Sequence, residues 1–469
     1  MGRYKTLAGN TLIFAISNFT SKLLVFFMLP FYTSVLSTEE FGTADLIVTF
    51  SSLLLPFLTL GVSDGCMRFA MDKTKDKGLV FSIGVRVLII GTIVLLLAAP
   101  FLHHMSFMVG YVLLFVLLFI SMTLQQFLSL FARGISKVRV VGISGVVSSF
   151  VVVISNIILL FVFNFGIKGY LISIIVSQYV ASCILFFGCK MSRFFTNKRD
   201  KALSREIFAY SIPMVPNTLS WWINHSANRF ILHNYCGVGD VGLYSAAAKM
   251  PVIIDTFRGI FVQAWQLSTI NEYDKKDSDS FFSSIYKAYN VVLIFLCSTL
   301  IMFCKIVARV LYSKEFFTAW EITPMLLLGV LFGSLVAYYS PTYLAHKKTK
   351  ILFTSTFIGA IITVVINLIL VPIIGIFGAA IGSAVSYFVV YLYLHIDSRK
   401  YSHNSENNAR FYISYALVAI LAIAVSFCHI EPLGVVTVSI YLFLIILNKK
   451  DILTLFTVFF KIINNKIKK

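Results

Sequence analysis

The sequence predicts an all-α polytopic membrane protein, and three observations carry that prediction. Composition is the first: 58% of the 469 residues are hydrophobic and 13% are charged, with a mean hydropathy of +0.89. Soluble chains run near roughly 45–50% apolar and about 25% charged. The second is the recurrence, from end to end, of apolar runs of about 20 residues or more, each long enough to cross roughly 30 Å of hydrocarbon. The third is the placement of the basic residues, which alternates with these runs.

Backbone groups in lipid must be satisfied within the segment, so each run is read as a helix. The runs are too long for barrel strands of about 9–11 residues. Fourteen spans follow, at about 11–36, 41–69, 79–102, 109–132, 140–163, 169–190, 207–235, 241–269, 281–304, 320–345, 351–373, 375–396, 409–428 and 432–448. The opening MGRYKT fits an N-myristoylation pattern but is read as the basic flank of a retained first helix, with no small-residue cleavage site after it.

The formal charge is +19. With the N-terminus in the cytoplasm, 29 of the 39 Lys and Arg fall in cytoplasmic segments, and the outer loops hold Lys168, Lys305, Arg309 and Lys314. This is the positive-inside asymmetry, with both termini cytoplasmic. The charge therefore sets topology and is not a nucleic-acid footprint. Six basic residues remain inside spans: Lys22, Arg68, Arg86, Arg229, Lys249 and Arg258. The seven cysteines form no CxxC pair, the eight histidines form no metal pattern, and the nucleotide-binding and hydrolase motifs are absent. No catalytic residues, no metal site and no cofactor are expected, and the chain is not read as an enzyme.

Two stretches repeat. In 132–186 and again in 345–394, a basic turn leads into a long helix with a late asparagine, then a short glycine-containing outer turn, then another apolar helix. The asparagines, Asn156 and Asn367, are 211 residues apart, and EEFGTADL at 39–46 matches GDVGLYSA at 239–246 at a spacing of 200. A repeat of six helices predicts two like-oriented lobes: an N-lobe over 1–192, a cytoplasmic linker over 193–206, a C-lobe over 207–396, and two further spans with a basic tail over 397–469. Such lobes are related by an axis along the membrane normal, hold the site near mid-membrane and alternate access by rocking.

At these segments the chain resembles the Wzx-type polysaccharide flippases of the multidrug/oligosaccharidyl-lipid/polysaccharide exporter superfamily. The resemblance rests on LSTEEFGTADL at 36–46, GVSDGCMRF at 61–69, NRFILHNYCGVGDVGLYSAAAKM at 228–250 and IIGIFGAAIGSAVSY at 373–387, in that order over nearly the whole chain. Each motif is loose, and the order carries the specificity. The resemblance implies an oligosaccharide repeat unit on a polyprenyl pyrophosphate, for O-antigen or capsule, moved from the inner to the outer leaflet of a bacterial cytoplasmic membrane, with membrane lipids and a polymerase and chain-length machinery as partners. The family often has Asp before the arginine of the seventh span; this chain has Asn228.

A pyrophosphate crossing a low-dielectric region needs cations that replace its hydration. Lys22, Arg86, Arg229, Lys249, Arg258 and Arg68 are thus the candidate lining of a cationic cavity. Each has a structural alternative. Arg229 lies close enough to the outer end to snorkel. Arg258 has Asp255 at i−3 and Arg68 has Asp64 at i−4, so both read equally as ion pairs. Lys249 sits among small residues that allow close packing, and Arg86 is two turns from the cytoplasm. Asp64 and Asp255 are the candidate carboxylates for coupling to a proton or sodium gradient. His225, at i−4 from Arg229, together with Trp222 and Tyr338, are candidate sugar or phosphate contacts, against ordinary packing. Two rival functions stay open: a related exporter of lipid II, teichoic acid or drugs, and a membrane polysaccharide polymerase, which needs a long external loop that the sequence lacks.

Paired reporter fusions check the topology. Fusions within 73–77 and 193–200 are expected to read cytoplasmic, and fusions within 164–168 and 305–314 external. The opposite pattern would invert the orientation.

Overall fold

The computed structural model describes residues 26–272, 278–345, 348–400, 409–428, 431 and 434–467. Seventeen α-helices run through them: α1 Leu29–Val35, α2 Thr38–Thr59, α3 Val62–Met71, α4 Lys77–Leu102, α5 Val112–Gly134, α6 Val138–Asn156, α7 Gly166–Gly188, α8 Lys201–Ser211, α9 Val215–Cys236, α10 Val238–Ala247, α11 Val252–Glu272, α12 Ser278–Leu311, α13 Thr323–Ala345, α14 Thr349–Ile374, α15 Ile376–Ser398, α16 Ala409–Phe427 and α17 Val435–Ile467. No strand occurs among the described residues. Among the described residues, ten helices are long and apolar enough to cross a membrane. Long apolar helices with no strand make this a multi-pass helical membrane protein.

The departures from fourteen unbroken spans have local causes. Most of the first span lies outside the described residues. The second breaks into α2 and α3 because Leu60 and Gly61 both take left-handed backbone angles, φ 51° and 64°. Glycine adopts that geometry without a Cβ penalty. The seventh, α9, is too polar to count among the ten, carrying Asn224, His225, Asn228 and Arg229. The eighth is broken at 248–251, before Pro251, into α10 and α11. The segment at 201–211 forms a separate amphipathic helix, α8, which buries Leu203, Ile207 and Ser211 and begins inside the expected linker.

The chain forms two compact units that part inside α9. The first runs to Trp222 and includes Gly237–Gly242; the second holds Ile223–Cys236 and everything from Leu243 onward.

In the first unit, α2 starts with a capping box. The Glu40 amide donates to Ser37 Oγ (3.1 Å) and the Ser37 amide donates to Glu40 Oε2 (3.0 Å). These satisfy two orphan donors at the helix start. Further along α2, Gly42 meets Gly242 of α10 so closely that a Cβ on either would overlap the facing backbone carbonyl, of Val238 or Thr38. Small residues permit such backbone approach in membranes. Asn156, near the end of α6, donates to the Tyr32 hydroxyl of α1 (2.9 Å). Phe81, Phe127 and Phe131 form an aromatic core between α4 and α5, with Phe81 and Phe131 ring centroids 4.8 Å apart.

In the second unit, α13 is the most enclosed candidate span. The two C-terminal helices are integral to this unit. The Tyr415 hydroxyl of α16 donates to Asn290 Oδ1 of α12, and Asn448 of α17 donates to Ser414 Oγ (3.1 Å). Arg410 and Asp451 pair between α16 and α17. His395 of α15 is held at both ring nitrogens, by Tyr339 at Nδ1 (2.7 Å) and Tyr412 at Nε2 (2.5 Å).

Gly382 and Gly145 separate packing from propensity. A Cβ on Gly382 would overlap Asn367 Oδ1, whereas one on Gly145 meets nothing within 4 Å. Gly382→Ala is therefore expected to destabilise by about 1–3 kcal/mol. Gly145→Ala is expected to be neutral or to stabilise by up to about 1 kcal/mol. Thermal unfolding in detergent reads both; equal effects would refute the close contact.

Candidate functional site

Helix α9 carries polar residues at 224, 225, 228 and 229, an i, i+1, i+4, i+5 pattern that makes two adjacent stripes on one side of a helix. The first stripe, Asn224 and Asn228, is buried against α14 and α15. Asn224 Nδ2 donates to the Thr356 carbonyl (3.0 Å), and its Oδ1 accepts from Thr363 (3.1 Å) and Ser386 (3.1 Å). Asn228 Oδ1 accepts from Asn367 Nδ2, while Asn228 Nδ2 faces the Tyr244 hydroxyl (2.8 Å) and Ser383 Oγ (2.6 Å). A buried amide left unpaired costs about 1–3 kcal/mol, so these bonds fix the rotation of α9.

That rotation turns the second stripe, His225 and Arg229, into a cavity of about 250 Å³ lined by residues of the second unit. Arg229 donates to its own helix at the His225 carbonyl (3.0 Å), and its guanidinium lies over the Tyr244 ring at 5.8 Å. The Tyr387 hydroxyl of α15 stands 2.9 Å from His225 Nδ1 and 3.1 Å from Nε2. The break before α11 contributes Ala248 and Pro251, and α11 contributes Asp255. Asp255 Oδ1 lies 2.8 Å from the Arg258 guanidinium, the two side chains 26% and 22% exposed.

The structure thus gathers four of the predicted residues: His225, Arg229 and Asp255 line the cavity, and Arg258 joins through Asp255. Lys249 sits in the α10–α11 break, half-buried and outside the lining. Lys22 lies outside the described residues. The other predictions are placed differently. Arg86 donates to the carbonyls of Thr196 (3.2 Å) and Lys198 (2.9 Å), and Ser82 Oγ accepts from the Thr196 amide (2.9 Å). The 194–198 segment folds back under α4, so Arg86 clamps it rather than lining the cavity. Arg68 is exposed on α3, and the expected pairing with half-buried Asp64 is not formed among the described residues. Trp222 donates its indole N–H to Ser52 Oγ (3.0 Å) in the first unit. Tyr338 is 1% exposed, stacked on Trp265 at 5.1 Å with its hydroxyl donated to the Phe282 carbonyl (3.0 Å). It is a packing residue, because both ring and hydroxyl are already occupied.

Sequence reasoning missed Tyr387 and Ser383 as site residues, although both lie in the IIGIFGAAIGSAVSY string. Chemically, the described lining offers one guanidinium, one imidazole, the phenols of Tyr244 and Tyr387 and one carboxylate, with a second guanidinium, Arg258, paired to that carboxylate. Guanidinium, imidazole and phenol are all donors that match an anion's oxygens. Among the described residues, no group of His, Cys, Asp and Glu is arranged to hold a metal.

A family model described as polysaccharide biosynthesis protein matches residues 7–266, more than half of the sequence, and the chain belongs to that family. No curated protein matches the sequence significantly. Among solved structures, the fold is similar to the lipid II flippase MurJ in an inward closed conformation, at 15% identity over 96% of this chain and 99% of that one, TM-score 0.69. It is also similar to an inward-facing multidrug resistance MATE family transporter of the MOP superfamily, at 13% identity over 82% and 98%, TM-score 0.65. A MOP superfamily transporter from Pyrococcus furiosus, titled for the reverse polarity of its binding pocket, aligns at 13% identity over 84% and 95%, TM-score 0.56. The sequence resemblance to this superfamily's polysaccharide transporters is borne out.

The network behind the cavity has its own test. Asn228→Ala and Asn367→Ala are each expected to lower stability by about 1–3 kcal/mol. The double variant should fall short of the sum by roughly 0.6–1.7 kcal/mol, the range of membrane hydrogen bonds. Strict additivity in thermal unfolding would show that this bond does not hold α9.

Proposed function

Within the polysaccharide biosynthesis protein family, we propose that this chain is a flippase for polyprenyl-pyrophosphate-linked oligosaccharide repeat units. It carries them from the inner to the outer leaflet of a bacterial cytoplasmic membrane by alternating access. The observation that carries the proposal is the cavity in the second unit, where Arg229 and the Asp255–Arg258 pair meet His225 and Tyr387 among membrane-spanning helices. Charge buried at that depth costs several kcal/mol and is retained for a reason. Pyrophosphate supplies one, since its oxygens match the guanidinium fork. At about 250 Å³ the cavity fits a charged headgroup or one sugar ring, and the rest of the glycan lies beyond it.

Other findings support the same reading. The family description points to polysaccharide synthesis, and the likeness to a lipid II flippase extends over nearly all of both chains. That likeness also favours lipid-linked cargo over drugs, with lipid II or a teichoic-acid precursor as the second reading. Coupling to a proton or sodium gradient through Asp255, and partnership with a polymerase and chain-length machinery, belong to the same proposal. Transport requires no cofactor and no covalent step, so the protein acts as a carrier and not as an enzyme.

The lipid-linked glycan pool tests this. Cells lacking the protein, or carrying only Arg229→Glu, are expected to accumulate single repeat units on the inner leaflet and to lose surface polymer by at least about tenfold, since charge reversal replaces attraction with repulsion. Repeat units that still reach the outer face, with only chain length altered, would assign the protein to polymerisation instead.

A further inference from the structure

The Arg258 guanidinium is unusually underused for a side chain only 22% exposed. It carries five N–H donors. Among the described residues, it makes one ion pair, to Asp255 Oδ1 at 2.8 Å, and no hydrogen bond. That oxygen is itself buried and accepts no hydrogen bond, so the contact is close but poorly aligned. Carboxylate and phosphate engage guanidinium through the same fork, and a well-formed pair is bidentate. The geometry is therefore a single, misaligned carboxylate contact on a donor set that an incoming anion would use in full.

We propose that Asp255 is a tethered stand-in for the substrate's anion, resting on Arg258 in the empty cavity and displaced when a phosphate or pyrophosphate group enters. This rests on the anion-binding reading of the cavity and adds the competitor. Three observations make the exchange favourable. Asp255 lines the cavity and Arg258, one turn along α11, does not but is paired with it, so an anion that exchanges with the carboxylate gains the guanidinium from the cavity. Arg229 and His225 face the same space and retain an entering anion once it has passed. Without Asp255, the Arg258 guanidinium would lose its ion-pair partner at membrane depth in every empty cycle, an expensive ground state. A loose pair neutralises it and yields readily. The device also prevents small inorganic anions from filling the cavity: a ligand must beat the resident carboxylate, which a multivalent pyrophosphate does better than a chloride.

A double-mutant cycle on the full chain in lipid nanodiscs tests the proposal, with inorganic pyrophosphate as the probe and calorimetry at fixed salt as the readout. Asp255→Asn is expected to bind pyrophosphate about tenfold more tightly than the unaltered chain, the factor expected for freeing a partly buried pair. With Arg258→Met already present, Asp255→Asn should change affinity less than about twofold, because the guanidinium for which they compete is gone. An equal gain in both backgrounds would mean that Asp255 acts only through its long-range field, and displacement would be refuted. Weaker binding by Asp255→Asn would make the carboxylate an orienting group and would also refute it. In either case, anion binding by the unaltered chain leaves the cavity reading intact. Absence of pyrophosphate binding in all four proteins, each shown folded by thermal unfolding, would remove the anion site and the stand-in together. Arg258→Gln replaces Arg258→Met, and Asp255→Ser replaces Asp255→Asn, where the first choice does not fold.

Discussion

Hydrocarbon offers no hydrogen bonds, and most of what is ordered in this protein answers to that lack. The main chain meets it by being helical wherever it is described as a span. Side chains meet it pairwise. Asn224 uses both ends of its amide on α14 and α15, and Asn228 uses both ends of its own on Asn367, Tyr244 and Ser383. Apolar packing alone would not set the rotation of a helix, since lipid is as apolar as leucine and one face serves nearly as well as another. Two amides, each needing a donor and an acceptor, leave α9 one azimuth. His225 and Arg229 then point into the cavity as a consequence.

The cations divide by what lies within reach. Arg86 finds backbone carbonyls of a segment that returns beneath α4, and that segment in turn leads into α8, whose buried face packs against α3. Its charge serves to hold that end of the first unit together. Arg229 instead faces the cavity, and Arg258 pairs with the cavity residue Asp255; both side chains keep partial exposure, which is how a charge is tolerated inside a membrane-spanning unit: by keeping access to water or ligand.

Much of this was legible in the sequence. Apolar run length and the sidedness of Lys and Arg predict the spans, and the repeated late asparagines mark the two positions where α6 and α14 donate side-chain bonds, to Tyr32 and to Asn228. The i−4 spacing of His225 to Arg229 and the i−3 spacing of Asp255 to Arg258 were enough to place those residues together. Other features were not legible, for physical reasons. Tyr387 is 162 residues from His225, and nothing in local spacing connects them. An aromatic at membrane depth looks the same whether it lines a cavity or fills a core, so Tyr338 reads as a contact when it is packing. Arg86 looks like a lumen cation because a span's residues reveal depth but not what folds back against them.

Position 228 shows how a single atom type sets the character of the site. Related transporters often place an aspartate before this arginine, and a carboxylate there would sit next to Arg229 and could neutralise it. An amide cannot. Asn228 forms the bonds that orient α9 without adding negative charge, and its Oδ1 is already committed to Asn367. Arg229 donates to its own helix carbonyl and lies over the face of Tyr244, neither of which removes its charge. Among the described lining residues, Asp255 is then the one carboxylate and Arg229 the one guanidinium, with Arg258 joined to the site through Asp255. The uncharged network and the charged cavity are one arrangement: because the rigid part is neutral, the positive charge remains available to an incoming anion.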